Sequence, residues 1–175
     1  MNLTRAVAPD PYSLLPECAS FAVKSPDVED GRQIPREHVL AGGNRSLRLG
    51  WAGFPDATKG FAVTCFDPNA PTPSGFWHWL LLDIPAAVSG LEQNAGAPDV
   101  DLPAGAFQLH NDFGTVGYGG AAPPPGDRSH RYYFAAHALD VAQIGVDPDA
   151  SPAAASFSLS FHTLARALTV PIYSR

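Results

Sequence analysis

An aspartate and a histidine stand near the two ends of a stiff segment in the middle of the chain. The segment reads DPNAPTPSGFWHW; it begins with Asp67 and carries His78 between two tryptophans. A carboxylate beside an imidazole fixes the tautomer of the ring and favours its charged form. Prolines at positions 68, 71 and 73 restrict the connection between the two residues. The pattern therefore predicts a site in which Asp67 and His78 act together, and a turn-capping aspartate with a packed edge histidine is the alternative.

A glycine- and proline-rich segment, NDFGTVGYGGAAPPPG at residues 111–126, is a second candidate site. Glycine lets the backbone approach a ligand closely and turn its N–H groups toward it. The segment lacks the Gly-Lys-Ser/Thr ending of a Walker loop and the GxGxxG spacing of a dinucleotide-binding turn, so it matches neither nucleotide motif. An ordinary long surface loop is the alternative, although loops of this length are commonly functional or disordered.

The third candidate is His130-Arg131-Tyr132, at the start of a strongly apolar run. A histidine and a tyrosine two residues apart on a strand share a face, so His130 and Tyr132 would offer two hydrogen-bond donors to one anionic group. A polar strand end is the alternative. No histidine shows zinc-ligand spacing such as HExxH, and no G-x-S-x-G nucleophile motif occurs. We therefore predict no cofactor and no catalytic residue. A metal site built from Asp67, His78 and His130 is the alternative to a site without a metal, and we favour the latter.

The composition fits one globular domain, residues 1–175, in which residues 1–20 are expected to be loosely held. Apolar residues make up 45% of the chain, and 18 prolines and 16 glycines indicate many turns between short strands. The net charge of −6, without a basic block, argues against nucleic acid or an anionic membrane as a partner. No run is apolar enough to cross a bilayer and no secretion signal is seen, which predicts a cytoplasmic protein with Cys18 and Cys65 unpaired.

Hydrophobic patterning predicts a mostly β domain with one C-terminal helix. Two nearly continuous apolar runs, at residues 61–66 and 77–84, are typical of central strands buried on both faces. A helical turn is predicted at residues 88–91. Further extended segments are predicted at residues 21–23, 36–40, 46–51, 107–110, 131–139 and 169–173.

The predicted helix starts at Ser151 and Pro152, which supply a capping hydroxyl and a proline at the first helical position. Apolar residues then recur at helical spacing at Phe157, Phe161, Leu164 and Leu168. This spacing predicts a helix that continues through Leu168 and buries these four side chains. Residues 157–161 also alternate with period two, so a strand is the alternative there.

Taken together, these segments resemble the phosphatidylethanolamine-binding protein family, and most closely its bacterial and archaeal branch, the Raf-kinase-inhibitor-like proteins. The resemblance rests on DPNAPTPSGFWHW followed by LLLDIP, and on NDFGTVGYGGAAPPPGDRSHRYYFAAHALD, and it covers residues 43–140. It implies a Greek-key antiparallel β-sandwich with short peripheral helices and one C-terminal helix. It also implies a small anion-binding pocket, whose residues by motif are Asp67, His78, Gly120, Pro123, Pro124, His130 and Tyr132.

The chain departs from the family pattern at Asn69, where a second acid is usual, and at Ala121, where bacterial members often have proline. Neither change touches Asp67, His78 or His130. The resemblance implies a non-catalytic binding domain for a small phosphorylated or carboxylated molecule. A protein target is the second hypothesis, because the family includes kinase and protease inhibitors, and a hydrolase that uses Asp67 and His78 as an acid–base pair is the third. Bacterial relatives also imply a homodimer.

Overall fold

Eleven short strands and one α-helix form the regular part of the computed structural model, which describes residues 3–175. The strands are, in chain order, β1 (Ala19–Ser20), β2 (Ala22–Lys24), β3 (Leu49–Ala52), β4 (Gly60–Asp67), β5 (Phe76–Pro85), β6 (Gly90–Leu91), β7 (Phe107–Gln108), β8 (His130–Arg131), β9 (Tyr133–Leu139), β10 (Thr163–Thr169) and β11 (Ile172–Tyr173). The helix α1 spans Pro152–His162, and two 3₁₀ helices span Pro11–Leu14 and Arg36–His38. The predicted mostly β architecture with one helix near the C terminus is confirmed.

The strands form two main sheets. The larger sheet has six strands in the order β1-β10-β9-β4-β5-β7, and the smaller has three in the order β2-β3-β6. Neighbouring strands are antiparallel except β1, which runs parallel to β10. In the larger sheet, β9 returns to lie beside β4 after β4, β5 and β7 have followed one another, which is the Greek-key order. A separate ribbon of β8 and β11 lies where the chain enters β9.

The main core fills the space between the two sheets. Phe61, Trp79 and Phe134 of the larger sheet pack there with Leu49 and Trp51 of the smaller one. A second apolar cluster covers the opposite face of the larger sheet, beneath α1, and contains Ala62, Leu80, Leu82, Ala155 and Leu159. Strands β4 and β5 are therefore buried on both faces, which explains their nearly continuous apolar sequences.

The helix begins as predicted, but its predicted continuation through Leu168 is wrong. The chain leaves the helix after 11 residues and continues directly as β10. The helix buries Ala155 and Leu159, whereas Phe157 and Phe161 are each 68% exposed. Residues 163–169 instead pair with β1 on one side and β9 on the other, so backbone pairing overrides the local helical pattern. No helix among residues 3–175 is long and apolar enough to span a bilayer.

The predicted strand at residues 131–139 is interrupted at Tyr132. The backbone N–H of Tyr132 donates to the carbonyl of Pro171, in the turn that precedes β11. This bond turns the chain away from the larger sheet, so that β8 pairs with β11 and only β9 pairs with β4.

Two further local predictions also need correction. Residues 36–40, predicted to be extended, contain the 3₁₀ helix Arg36–His38, and the predicted helical turn at residues 88–91 contains β6. A Cβ atom at Gly90 would lie 2.7 Å from the carbonyl oxygen of Leu49, so β6 approaches β3 at a point where only glycine fits.

The N-terminal residues lie along the larger sheet. Strand β1 pairs with β10 at the edge of that sheet, and the hydroxyl of Tyr12 lies 3.3 Å from that of Thr64. Cys18 and Cys65 are both free thiols, as predicted.

The exposed phenylalanines of α1 provide a test of the helix register. We expect Phe61→Ala to lower the free energy of unfolding by about 3–5 kcal/mol, because it empties a fully buried site. Phe157→Ala should change the same quantity by less than about 0.5 kcal/mol, because its side chain is largely exposed. Denaturant unfolding of the two variants measures both values. A large loss of unfolding free energy in Phe157→Ala would instead favour the buried helical stripe that the sequence predicts.

Candidate functional site

A cavity of about 200 Å³ opens beside the loop that connects β4 and β5. This loop, the segment 111–126 and β8 all contribute to its wall. The lining residues are Asp67, Ala70, Pro71, Thr72, Phe76, His78, Phe113, Ala122, Pro123, Pro124 and His130. Five of the seven residues predicted for the site are thus brought to one cavity. The other two, Gly120 and Tyr132, are buried behind its wall.

Asp67 is bound to His130 and not to His78, which corrects the pairing predicted from the sequence. The Nδ1–H of His130 donates to Oδ2 of Asp67 over 2.6 Å, and both side chains are almost fully buried. The other oxygen of the carboxylate accepts the backbone N–H of Asn69. Asp67 is the last residue of β4 and His130 the first of β8, so the contact joins two parts of the chain that are 63 residues apart.

A second carboxylate faces the other side of the His130 ring. Oδ2 of Asp127 lies 3.0 Å from Nε2 of His130, and a guanidinium nitrogen of Arg5 lies 3.4 Å from the same ring atom. When the ring is protonated, it donates to both carboxylates. Burial by itself lowers the pKa of His130, but the carboxylates of Asp67 and Asp127 outweigh it, and the pKa is raised above its usual 6.5. His130 therefore holds its proton to higher pH than an ordinary histidine.

His78 has a different environment in the same cavity. The register between β4 and β5 slips by one residue at His78, which is the extra residue of a β-bulge. Because a carbonyl can only accept, Nδ1 of His78 carries the proton that it donates to Gly119 over 2.6 Å. Burial lowers the pKa of His78, and the Gly119 carbonyl and the charge of Asp67 offset only part of this shift. The neutral ring thus leaves Nε2 as an acceptor for a molecule in the cavity.

Aromatic rings hold His78 in position. The ring centroids of Phe76, Phe113 and Tyr132 lie 5.2, 5.4 and 5.1 Å from that of His78. The hydroxyl of Tyr132 is buried and donates to no group within residues 3–175, while the backbone N–H of Ala122 lies beside it. Burial raises the pKa of Tyr132 far above its usual range, so the hydroxyl keeps its proton. A spare hydrogen-bond donor therefore lies directly behind the cavity wall.

Gly120 shapes the wall rather than facing the cavity. Its backbone N–H donates to Oδ1 of Asn44, and a Cβ atom on it would lie 2.5 Å from the carbonyl oxygen of His38. Glycine at this position therefore allows the segment 111–126 to pack closely against residues 38–44.

Arg5, which the sequence analysis did not select, covers one side of the charged cluster. Its guanidinium forms two hydrogen bonds, of 3.0 and 2.8 Å, with the carboxylate of Asp127, and it also donates to the backbone carbonyl of Asn69. The hydrogen bond from Arg5 is the main cause of a lowered pKa at Asp127, and the bond from His130 lowers it further. Arg128 donates in turn to the backbone carbonyl of Arg5. No motif or spacing connects the N terminus with this site, so sequence reasoning had no signal from which to find Arg5.

Asn69 stands where the resembled family usually has a second acid. Its side-chain oxygen accepts the backbone N–H and the Nε–H of Arg131 at 3.1 and 3.0 Å, and Asn69 is only 3% exposed. The amide supplies the acceptor that Arg131 needs without adding another buried negative charge next to Asp67.

The arrangement therefore combines two kinds of polar group. His78 supplies an acceptor at the cavity and Tyr132 a spare donor behind its wall, while two carboxylates and two cationic side chains form a cluster beside it. Among residues 3–175, no group of three or more histidine, cysteine, aspartate or glutamate side chains is arranged to hold a metal ion. The groups present can bind and orient a small polar molecule.

Comparisons with known proteins show a family and a fold that this chain shares. A family model described as phosphatidylethanolamine-binding protein matches residues 24–174. UPF0098 protein YbcL of Escherichia coli (strain K12) is 44% identical over 163 residues, which cover 90% of this chain and 89% of YbcL. UPF0098 protein YbhB of the same organism is 45% identical over 155 residues, which cover 86% of this chain and 98% of YbhB. The crystal structure of YbcL, described as a new member of the mammalian PEBP family, matches with a TM-score of 0.87 and covers 90% of this chain and 99% of that one.

The raised pKa of His130 predicts a pH-dependent contribution to stability. A raised folded-state pKa stabilises the fold fully below the unfolded value of about 6.5, and the contribution is lost as the pH rises through the folded value. We therefore expect His130→Gln to lower the free energy of unfolding by about 2–3 kcal/mol at pH 5.5 and by clearly less at pH 9. Urea unfolding at both pH values measures the difference. Phe157→Ala, which changes a largely exposed side chain that does not titrate, is the control and should show no such trend.

The Arg5–Asp127 pair can be tested with a double-mutant cycle of Arg5→Met and Asp127→Asn. We expect a coupling free energy of about 0.5–1 kcal/mol at pH 7, because the pair has good geometry but lies close to solvent. Since the pKa of Asp127 is lowered, the coupling should be present above the unfolded carboxyl pKa and disappear as the pH falls through the folded value. A cycle of Lys24→Met with Asp127→Asn should give no coupling, and equal coupling in both cycles would contradict the pairing.

Proposed function

Because this chain belongs to the phosphatidylethanolamine-binding protein family, we propose that it is a non-catalytic binding protein for a small anionic molecule that carries a phosphate or carboxylate group. One observation carries the proposal: Asp67, His78 and His130, which are distant in sequence, meet at one cavity. A volume of about 200 Å³ accommodates a group the size of a phosphate or carboxylate with a short attachment, but not a long chain.

The charges beside the cavity balance one another, so the binding of an anion depends on local hydrogen bonds. When His130 is protonated, it and Arg5 supply two positive charges, which balance the two negative charges of Asp67 and Asp127. The cluster is then neutral as a whole, so it neither repels an anion nor attracts it strongly from a distance. Recognition must therefore come from directed hydrogen bonds inside the cavity.

Two polar groups, one lining the cavity and one buried behind its wall, suit a phosphate or carboxylate. The buried hydroxyl of Tyr132 has no acceptor within residues 3–175, and leaving such a donor unpaired is costly. An anionic oxygen reaching it would supply the missing acceptor. Nε2 of His78 would accept a hydrogen bond from a protonated phosphate oxygen or, beside a fully ionised ligand, would itself take up a proton. Both routes favour a singly charged ligand or one that binds together with a proton.

The rest of the wall is apolar. Phe76, Phe113, Pro123 and Pro124 line the cavity around His78. These side chains exclude water and strengthen the few polar contacts. We therefore favour an organic phosphate or carboxylate, whose carbon part packs against the rings, over the bare inorganic ion.

The contacts of Asp67 argue for binding rather than catalysis. A hydrolase that uses Asp67 and His78 as an acid–base pair needs these residues together, but both oxygens of Asp67 are engaged by His130 and Asn69. Thr72 is the only hydroxyl-bearing residue among the described lining residues, and its hydroxyl donates to the carbonyl of Gly75. No lining side chain thus has the arrangement of a nucleophile with an adjacent base.

Calorimetric titration with methanesulfonate tests the proposal, because this small organic anion keeps its single charge across the pH range used. We expect affinity to rise by roughly tenfold between pH 8 and pH 6, since an anion beside His78 raises its lowered pKa and drives proton uptake. Titrations in buffers of different ionisation enthalpy should reveal this uptake directly. His78→Ala should lose at least about tenfold in affinity, whereas the control His162→Ala should bind as the native protein does.

Two results would overturn the proposal. Binding that is independent of pH and unchanged in His78→Ala would remove the cavity as the anion site. Steady hydrolysis of a phosphomonoester such as 4-nitrophenyl phosphate, abolished by His78→Ala, would show that the site is catalytic. The native protein should instead give no turnover above the buffer background.

A further inference from the structure

A second cavity, of about 390 Å³, lies at the opposite edge of the larger sheet, between the N-terminal residues 12–20 and β10. Along β10, Ala165 and Ala167 point into the main core, while Arg166 and Leu168 lie on the other face. The N-terminal residues cross over that outer face and enclose the cavity. Arg166 is the cationic residue of its lining.

The guanidinium of Arg166 has no partner to balance its charge. Within residues 3–175 no carboxylate lies within ion-pair distance of it, and its buried Nε atom makes no hydrogen bond. The ring of Tyr12 covers one face of the guanidinium, with its centroid 4.5 Å from the central carbon. The Nε–H of this guanidinium is shut off from water and has no acceptor, which costs free energy.

The titratable neighbours of Arg166 cannot neutralise it. His137 is its partner in the ladder between β10 and β9, and burial, together with the charge of Arg166, lowers the pKa of His137 to about 3. Burial raises the pKa of Tyr12 to about 12, so Tyr12 is neutral as well. Glu17 lies in the cavity wall but forms no ion pair with Arg166. The positive charge thus has no counter-ion within residues 3–175.

We propose that this second cavity binds a small monocarboxylate with an apolar body, and that Arg166 holds its carboxylate. Guanidinium and carboxylate match in a planar, two-bond contact, and Arg166 lines the cavity while the Tyr12 ring covers only one face of the guanidinium. A single charge suits the site because one cation faces it and the carboxylate of Glu17 repels a second negative charge. Leu15, Pro16 and Leu168 line the remaining wall and fit the apolar body. This site is separate from the His78 cavity and does not depend on the function proposed for it.

Benzoate is a suitable probe, with benzamide as its uncharged counterpart of nearly the same shape. In ¹H–¹⁵N spectra of the full chain, benzoate should shift the amides of residues 15–20 and 165–168 in a saturable manner, and benzamide should bind at least tenfold more weakly. The measurement is made in the His78→Ala protein as well, where the same shifts should persist. Shifts confined to the surroundings of His78, or equal binding of benzamide, would overturn the proposal.

Arg166→Met is the decisive variant, because it keeps the length and apolar stem of the side chain and removes the charge. Without benzoate it should melt at the same temperature as the native protein or higher, since it deletes an unpaired charge. Benzoate should raise the melting temperature of the native protein but not of Arg166→Met, and the variant should bind it at least tenfold more weakly. Arg166→Lys should show intermediate affinity because it keeps the charge without the fork.

Undiminished benzoate binding by a folded Arg166→Met protein would contradict the proposed role of Arg166. A clear fall in the melting temperature of the variant, together with no benzoate response in the native protein, would assign Arg166 to structure alone. The partly exposed thiol of Cys18 gives an independent local signal, because it lies in the wall of the cavity while Cys65 is buried. Benzoate should slow the modification of Cys18 by a thiol reagent in the native protein and leave its rate unchanged in Arg166→Met.

Discussion

The buried contact between Asp67 and His130 organises the polar site around it. This hydrogen bond of 2.6 Å joins the end of β4 to the start of β8, so Asp67 pairs with His130 and not with His78. His78 is left bound to a backbone carbonyl, and its burial keeps it neutral to lower pH. Since Asp127 faces the other nitrogen of His130, the cluster has two negative charges, and Arg5 supplies the second cation that balances them. The two carboxylates raise the pKa of His130, whereas burial lowers that of His78, so the two histidines of one cavity have opposite pKa shifts.

The N-terminal residues contribute to both cavities in opposite ways. At the first cavity, Arg5 brings a charge that is fully paired, and its contacts close one side of the charged cluster. At the second cavity, Tyr12 and the residues after it enclose the charge of Arg166, which has no partner within residues 3–175. The difference matters because a paired cation is satisfied in the free protein, whereas an unpaired one favours an incoming anion. Binding of such an anion would therefore be expected to stabilise the segment that covers it.

Residue type and local pattern were sufficient for the central sheet, and the family resemblance grouped Asp67, His78 and His130. The continuously apolar runs at residues 61–66 and 77–84 are typical of strands covered on both faces, and β4 and β5 are so covered. The motifs around Asp67, His78 and His130 placed these residues together because each lies at a strand end or beside a rigid loop. These inferences succeed because burial and backbone stiffness act over a few neighbouring residues.

Only the tertiary structure decided which of these groups touch. The choice of His130 over His78 as the partner of Asp67 depends on a one-residue bulge in β5 and on the departure of β8 from the sheet, and neither has a local signature. The helical spacing that ends at Leu168 gives way to β10 because backbone pairing with β1 and β9 outweighs it. The sequence by itself determined the central strands and the residue types at the cavity. The pairing of the charges depends on contacts between segments far apart in the chain, which no local pattern records.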